Sequence, residues 1–552
     1  MHRLLNSTRS KIAASLVLVG LIAAPLTAQA VPVKPLLPVA TPELPIKPAG
    51  ISGVPESVPQ EGCQPDPLET KQQTLKCRYG PLVVTPGTNL ILLGPVTIEQ
   101  PQANGFMLKM TPNMIDAATG EVPHIHEVHL HHGVWLDAGQ GTNSIDVPFM
   151  AAGEEKTVSS PPPGFGYKVD VNDEWILNYM IHNQTSASYT TFITYDLEWV
   201  NASSPLAASI TPVKPIWWDT VGGFYPVYDP TQNESAAKEH VRPDGFGVDE
   251  AMELVWMAGH VHPGGKQIEI RKDTCAGSTA GRGEPIFTSV AKTNPREGDQ
   301  NPFGSWDYLM TATPPDFRYT MHRGDRVQFN TVYDNTHPWY EAMGIVFGWG
   351  VPLSTPGYTP TAARCQLVTS SVPGQVTNGL PRPPIWGGDT TLFFEDGYPS
   401  VAGQAPVSEI DIAAFDYFPG GTGKAPAPVK AGSNVIVKNL DFGGSIYHSI
   451  TSCADACNKN TGQVYPLPSW SFDSYQLGYG IEGATAAEGG VYIPFYTSDP
   501  QDHLTGDPTK AVIEDTDSYT WDWSIPNVPV GTTIPYFCRV HPFMRGSVQV
   551  VE

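Results

Sequence analysis

"YTTFITYDLEWV", residues 189–200, is built almost wholly from β-branched and aromatic residues and reads as a strand. "GDRVQFNTVY" (324–333) and "SNVIVKNL" (433–440) read the same way, and no stretch sustains a helical period. Gly and Pro, 53 and 55 of 552 residues, punctuate the short apolar runs. The chain is therefore expected to be all-β.

Outward from these strands, the first thirty residues carry the marks of an export signal. Arg3, Arg9 and Lys11 open it, the apolar run "IAASLVLVGLIAAPL" follows, and small residues end it at Ala30. No later run is long and apolar enough to span a bilayer. The mature chain is expected outside the cytoplasm, secreted or in the periplasm or cell envelope after Sec-type cleavage. The formal net charge is −23, and the leader contributes only basic residues, so the mature chain is more acidic still. That balance argues against nucleic acid or anionic membrane as a partner.

An exported chain with seven cysteines invites pairing. Cys63 lies near Cys77, Cys453 near Cys457, and Cys275 and Cys365 share one middle region, which could make three disulfides. Cys538 is left over, in "IPYFCRVHPFMRGSVQV", with His541 and Met544 each three residues further on. A thiolate and two imidazoles around a metal with a weak axial thioether is the ligand set of blue copper. The second imidazole has to come from a distant strand, and His448 in "LDFGGSIYHSIT" offers it.

On these residues, 406–552 resemble the cupredoxins, within them the amicyanin-like type with a short Cys-x-x-His-x-x-Met loop. The resemblance implies a Greek-key β-sandwich holding one type 1 copper on His448, Cys538, His541 and Met544. An insertion of some fifty residues, with Cys453, Cys457 and His503, departs from the family. Multicopper oxidases carry histidines beside the copper cysteine; Phe537 and Arg539 stand there here, which argues against a laccase-type enzyme.

Upstream, histidines recur in "PHIHEVHLHHGVWL" (123–136), in "WILNYMIHNQT" (His182) and in "ELVWMAGHVHPGGKQIEI" (His260, His262). An i, i+2 pair points to one face of a strand, so His260 and His262 can reach one metal. "YEAMGIV" then places Met343 in a further strand. The order His-His, His, His-x-His, Met resembles the copper type II, ascorbate-dependent monooxygenases, among them peptidylglycine α-hydroxylating and dopamine β-monooxygenase. The resemblance covers about residues 84–366. It implies two consecutive jelly-roll-like β-sandwiches, each with one mononuclear copper, facing each other across an open cleft. Electron-transferring copper would sit on His131, His132 and His182. Catalytic copper would sit on His260, His262 and Met343, and would insert one oxygen atom of dioxygen into a C–H bond. His124, His126 and His129 are surplus to that set and read as pocket or solvent-facing residues, and His322 and His337 as bystanders.

The organisation expected is a signal peptide (1–30), a Pro-rich spacer (31–61), two copper-monooxygenase-like sandwiches (62–206 and 207–367), a linker (368–405) and the cupredoxin (406–552). The cofactor expected is copper, one type 1 and two further mononuclear sites. Partners would be an external electron donor and a small-molecule or peptide substrate. The rival reading is a non-catalytic copper protein for electron transfer or copper handling.

Overall fold

The computed structural model describes residues 62–63, 72–86, 88–91, 96–125, 127–137, 148–185, 187–220, 227–228, 239–275, 281–293, 308–334, 342–368, 375–376, 398–441, 448–452, 472, 474, 477, 520–538, 541 and 544–552. The expected signal peptide, spacer and linker fall wholly or largely outside them, as do Cys453, Cys457, His126, His337 and His503. Among the described residues the fold is all-β, the one helical element being a 3-10 turn at Pro205–Ser209. No helix there is long and apolar enough to cross a membrane.

Two layers enclose the first core. One is a five-stranded sheet in which Trp175–Asn183 runs antiparallel to Val128–Asp137, itself flanked by Pro148–Gly153. The other belongs to a 17-stranded sheet whose longest ladder pairs Tyr189–Asn201 with Gly105–Asp116. Trp135, Trp175, Leu177 and Ile181 from the first pack with Leu82, Ile193, Leu197 and Trp199 from the second. Each fully buried Leu, Ile or Phe in such a core contributes roughly 1.5–3 kcal/mol.

The expected boundary between 206 and 207 falls inside the 3-10 turn, which Ser204 caps through its hydroxyl. The next strand, Thr211–Asp219, stitches the halves together: it pairs in parallel with Phe165–Val169 and antiparallel with Ala342–Pro352. The first core accordingly runs on into Trp256, Phe347 and Trp349. A second core gathers Leu254, Met257 and Val346 with Ile268, Ile270 and Phe329.

Residues beyond 398 form two four-stranded sheets. One contains Glu409–Ala413, Asn434–Asn439 and Thr520–Ser524; the other Ala427–Lys430, Thr533–Phe537 and Arg545–Val551. Asn434–Asn439 alternates exposed or half-buried with buried residues, as a strand with one face on a core requires. Val435, Val437 and Trp523 meet Tyr536, Val548 and Val550 between the layers. Two of the anticipated disulfides are present, Cys63–Cys77 and Cys275–Cys365, and Cys538 is free and buried.

Candidate metal centres

The histidine run is shaped by one irregularity. Across the ladder His132 faces Met180 and Leu130 faces Ile181, so His131 has no opposite residue and forms a β-bulge. Val128 and Leu130 before it, and Trp135 after it, lie in the core. The extra residue shifts the two-residue alternation by one, so His129, His131 and His132 all lie on the opposite face. His182 stands directly across from His129, the rings 5.3 Å apart edge to face.

His260 and His262 arrive from the second half. Met252–Val261 pairs His260 with Ile345 and Val261 with Gly344, and the two imidazoles lie 5.1 Å apart at right angles. They meet the first group in direct contact. His132 Nε2 is 2.7 Å from His262 Nε2, and the ring of His131 lies 5.5 Å from that of His262. Ligand atoms of His129, His131 and His182 lie within 4.8 Å of one another, and so do those of His131, His132 and His262. The histidines of the two expected triads are thus not held apart across a cleft but adjoin, with His129 joining them. All six rings are buried, His132 the least at 8% exposed.

Two consecutive carboxylates support the cluster. The tight turn after Pro148–Gly153 buries Glu154 and Glu155 completely. Glu154 Oε1 lies 2.7 Å from His131 Nδ1, and Glu155 Oε2 lies 3.0 Å from His260 Nδ1. His129 Nδ1 donates to the Ile125 carbonyl at 2.5 Å. Tying Nδ1 in this way fixes the tautomer and presents Nε2 to a metal. The Tyr308 hydroxyl donates to the Val261 carbonyl and lies 3.4 Å from a carboxylate oxygen of each glutamate.

The charges suit a metal. Burial, then the neighbouring imidazoles, hold His131 and His132 well below the ordinary histidine pKa, so both rings are neutral and ligand-competent. Burial pushes the Glu155 carboxyl up, but the charge and hydrogen bond of His260 and the Gly153 N–H bring it below its usual value. Met343 is buried, and its backbone N–H and C=O both engage the Tyr333 hydroxyl, which also accepts the His262 N–H at 2.8 Å. That places the main chains of Met343 and His262 on one hydroxyl. His124 is buried at the mouth of the turn before Val128, its carbonyl accepting from Glu127 and Val128. His322 sits in a turn closed by Asp325.

The second centre is the leftover cysteine. Cys538, at the end of Thr533–Phe537, has His448 Nδ1 and His541 Nδ1 each 3.9 Å from Sγ, and those nitrogens are 3.1 Å apart. The loop closes on itself: Cys538 N–H donates to the Met544 carbonyl and Met544 N–H to that of His541. Met544 is fully buried in the same core as Cys538. Burial raises the Cys538 thiol, but His448 and the N–H groups of Ser449 and His541, each 3.3 Å from Sγ, draw it below the ordinary thiol value. Burial opposes charge on His448, while Asp441 and Cys538 more than offset it and hold its pKa at about 9.

Sequence reading missed Asp441 and Phe415. Asp441 bonds His448 Nε2 at 2.9 Å, and its carboxylate accepts the N–H groups of Ala414 and Phe415, both of which have positive φ. The Phe415 ring stands edge-on to His448 and His541 at 5.4 and 5.0 Å. Asp441→Ala is expected to weaken metal binding at this centre about 10–100-fold and, with copper as the probe ion, to shift its absorption band, since such outer partners orient the ligand ring. A copper titration followed by absorption checks this; unchanged affinity and band would show that Asp441 only anchors the 414–415 turn.

The two centres touch. His182 of the histidine cluster stands edge-on to His541 of the thiolate centre, the rings 5.9 Å apart and perpendicular.

No family model and no curated protein matches the chain. Among solved structures it is similar to the VP2 subviral particle of infectious bursal disease virus, at 10% identity over 55% of this chain and 81% of that one, TM-score 0.16. It is also similar to the structure of that virus's Gt strain, at 12% identity over 56% and 75%, TM-score 0.16. Likenesses of that size carry no argument about fold or function.

Proposed function

We propose that the chain is an exported copper protein, a monooxygenase that hydroxylates a C–H bond with dioxygen, in which the Cys538 centre relays electrons to the histidine cluster. The observation that carries this reading is the contact between His541 and His182. A thiolate centre built for one-electron traffic abuts a second, all-nitrogen centre with no gap between them.

The donor sets fit copper. One buried thiolate with two Nδ1 atoms suits a type 1 site, and imidazoles hold either oxidation state of copper. His260 adds a physical sign: its Nδ1 is taken by Glu155, while its Nε2 is buried with no hydrogen-bond partner among the described residues. A buried nitrogen in that condition is costly unless a ligand satisfies it. Copper bound at the two centres would supply one-electron redox chemistry and a place for dioxygen.

The chain's own residues do the rest. Ser449 and His541 N–H groups stabilise the thiolate, Asp441 and the two glutamates orient His448, His131 and His260, and burial of the six rings excludes water. Hydroxylation consumes one dioxygen, two electrons and two protons per substrate, releasing water. The electrons come from an external donor, a small reductant such as ascorbate or a protein. Tyr308 Oη, 3.4 Å from a carboxylate oxygen of each glutamate, is a proton-bearing group beside the cluster.

Burial also favours a second reading, a copper protein for electron transfer or copper handling, because none of the six rings is open to an organic substrate. The experiment that separates them is dioxygen uptake by the copper-loaded mature chain, given reductant and a panel of C–H substrates. Uptake coupled to a product carrying one oxygen-18 atom from labelled dioxygen supports the monooxygenase. Stable copper with no uptake leaves the electron-transfer reading.

A further inference from the structure

We infer that the six histidines form one dinuclear metal centre, His129, His131 and His182 holding one ion and His132, His260 and His262 the other. The inference rests on the copper reading above and replaces its two separate mononuclear sites by a single centre whose ligand is dioxygen.

The six rings are close enough together to be grouped as two sets of three. Within the first, centroids lie 5.3–5.9 Å apart; within the second, 4.8–5.2 Å. Between the sets, His131 and His132 are 4.4 Å apart and His131 and His262 5.5 Å, so the sets adjoin along one edge. His131 lies within ligand reach of His129 and His182 and equally of His132 and His262, and its Nδ1 lies 2.7 Å from Glu154 Oε1. With Nδ1 facing that carboxylate, Nε2 is the nitrogen His131 offers, and it serves one ion. The alternative triad of His131, His132 and His262 would leave His260 Nε2 buried with nothing to bind and the pair His129 and His182 one ligand short. Assigning His131 to the first set gives each ion three imidazoles.

The supporting carboxylates divide in the same way. Glu154 serves His131 of the first set and lies 3.9 Å from His129 Nε2; Glu155 serves His260 of the second. One turn thus orients a ligand for each ion. Two ions held on adjoining sets of buried rings would suit dioxygen, a ligand small enough to reach a buried site.

The test is copper stoichiometry combined with spin quantitation by EPR on the oxidised, copper-loaded mature chain. Two hydroxide-bridged Cu(II) ions couple antiferromagnetically and vanish from the spectrum. The expected result is three coppers per chain with spin for only one, the blue centre. Three coppers with spin for three would overturn the dinuclear centre and leave the copper reading standing. One copper, all blue, would overturn both. In the variant His129→Ala the silent pair should be lost, either as copper missing from the chain or as new spin, while the thiolate band persists and reports a folded chain. An unchanged silent pair in H129A would overturn the ligand assignment. If H129A does not fold, the spin count of the unaltered chain decides alone.

Discussion

Cys538→Ser is expected to abolish the intense thiolate-to-copper absorption of the copper-loaded protein. With a protein electron donor, turnover should fall roughly 10²-fold, the scale on which tethering a partner raises its effective concentration. With ascorbate or another small reductant the rate should stay nearly unchanged. The reason lies in geometry. Cys538 Sγ accepts two N–H groups at 3.3 Å and faces two imidazoles at 3.9 Å in a fully buried pocket. A serine oxygen is a poorer donor to copper and keeps its proton, so the relay is lost. The histidine cluster, reached through His541 and His182, keeps all of its own ligands. Stopped-flow kinetics with each donor class is the measurement. Equal loss with both would remove the relay from the proposal.

Gly153→Ala is expected to disable the histidine cluster while sparing the Cys538 centre. A Cβ on Gly153 would stand 2.5 Å from His260 Cε1, 2.7 Å from Glu155 Oε2 and 2.9 Å from His260 Nδ1. Those atoms belong to side chains, but neither has room to yield: Glu155 is fully buried and bonded to both Gly153 N–H and His260. Overpacking of this kind costs about 1–3 kcal/mol of stability. The displaced His260 ring should lower copper affinity at the cluster by about 10–100-fold, the usual effect of disturbing a ligand's support. Calorimetry and copper analysis check the two effects separately, with the thiolate band as internal control. A variant that melts earlier yet keeps its full copper would show that His260 is packed there rather than bound to metal.

Much of the framework was legible in the chain. Runs such as 189–200 and 433–440 are strands because β-branched and aromatic side chains suit a half-buried pleat, and both lie in sheets. Cys538 and His541 are three residues apart in one tight loop, so local spacing alone brings them together, and the odd cysteine marked them. The Cys63–Cys77 disulfide, 14 residues apart, followed from proximity in sequence, and Cys275–Cys365, 90 apart, from sharing the middle region of a chain expected to be exported. The i, i+2 spacing of His260 and His262 likewise sets both rings toward one neighbour.

What tertiary structure decided is everything that depends on partners far along the chain. Strict alternation would put His129 and His131 on one face and His132 on the other; the bulge at His131 reverses that for His132, and only the pairing with Trp175–Asn183 reveals it. The phase break in "VHLHHGVW" was its faint local sign. Glu154 and Glu155 look like any exposed acidic turn until the fold sets them against His131 and against His260, 105 residues away. Asp441 and Phe415 carry no motif, because their role is to hold a ring brought from another strand. The sequence alone determined which residue types gather on which strands, since that follows from periodicity and loop length. Whether the histidines form separate triads or one cluster was settled by packing, because it depends on how closely the two halves meet, and no local pattern encodes a distance across an interface.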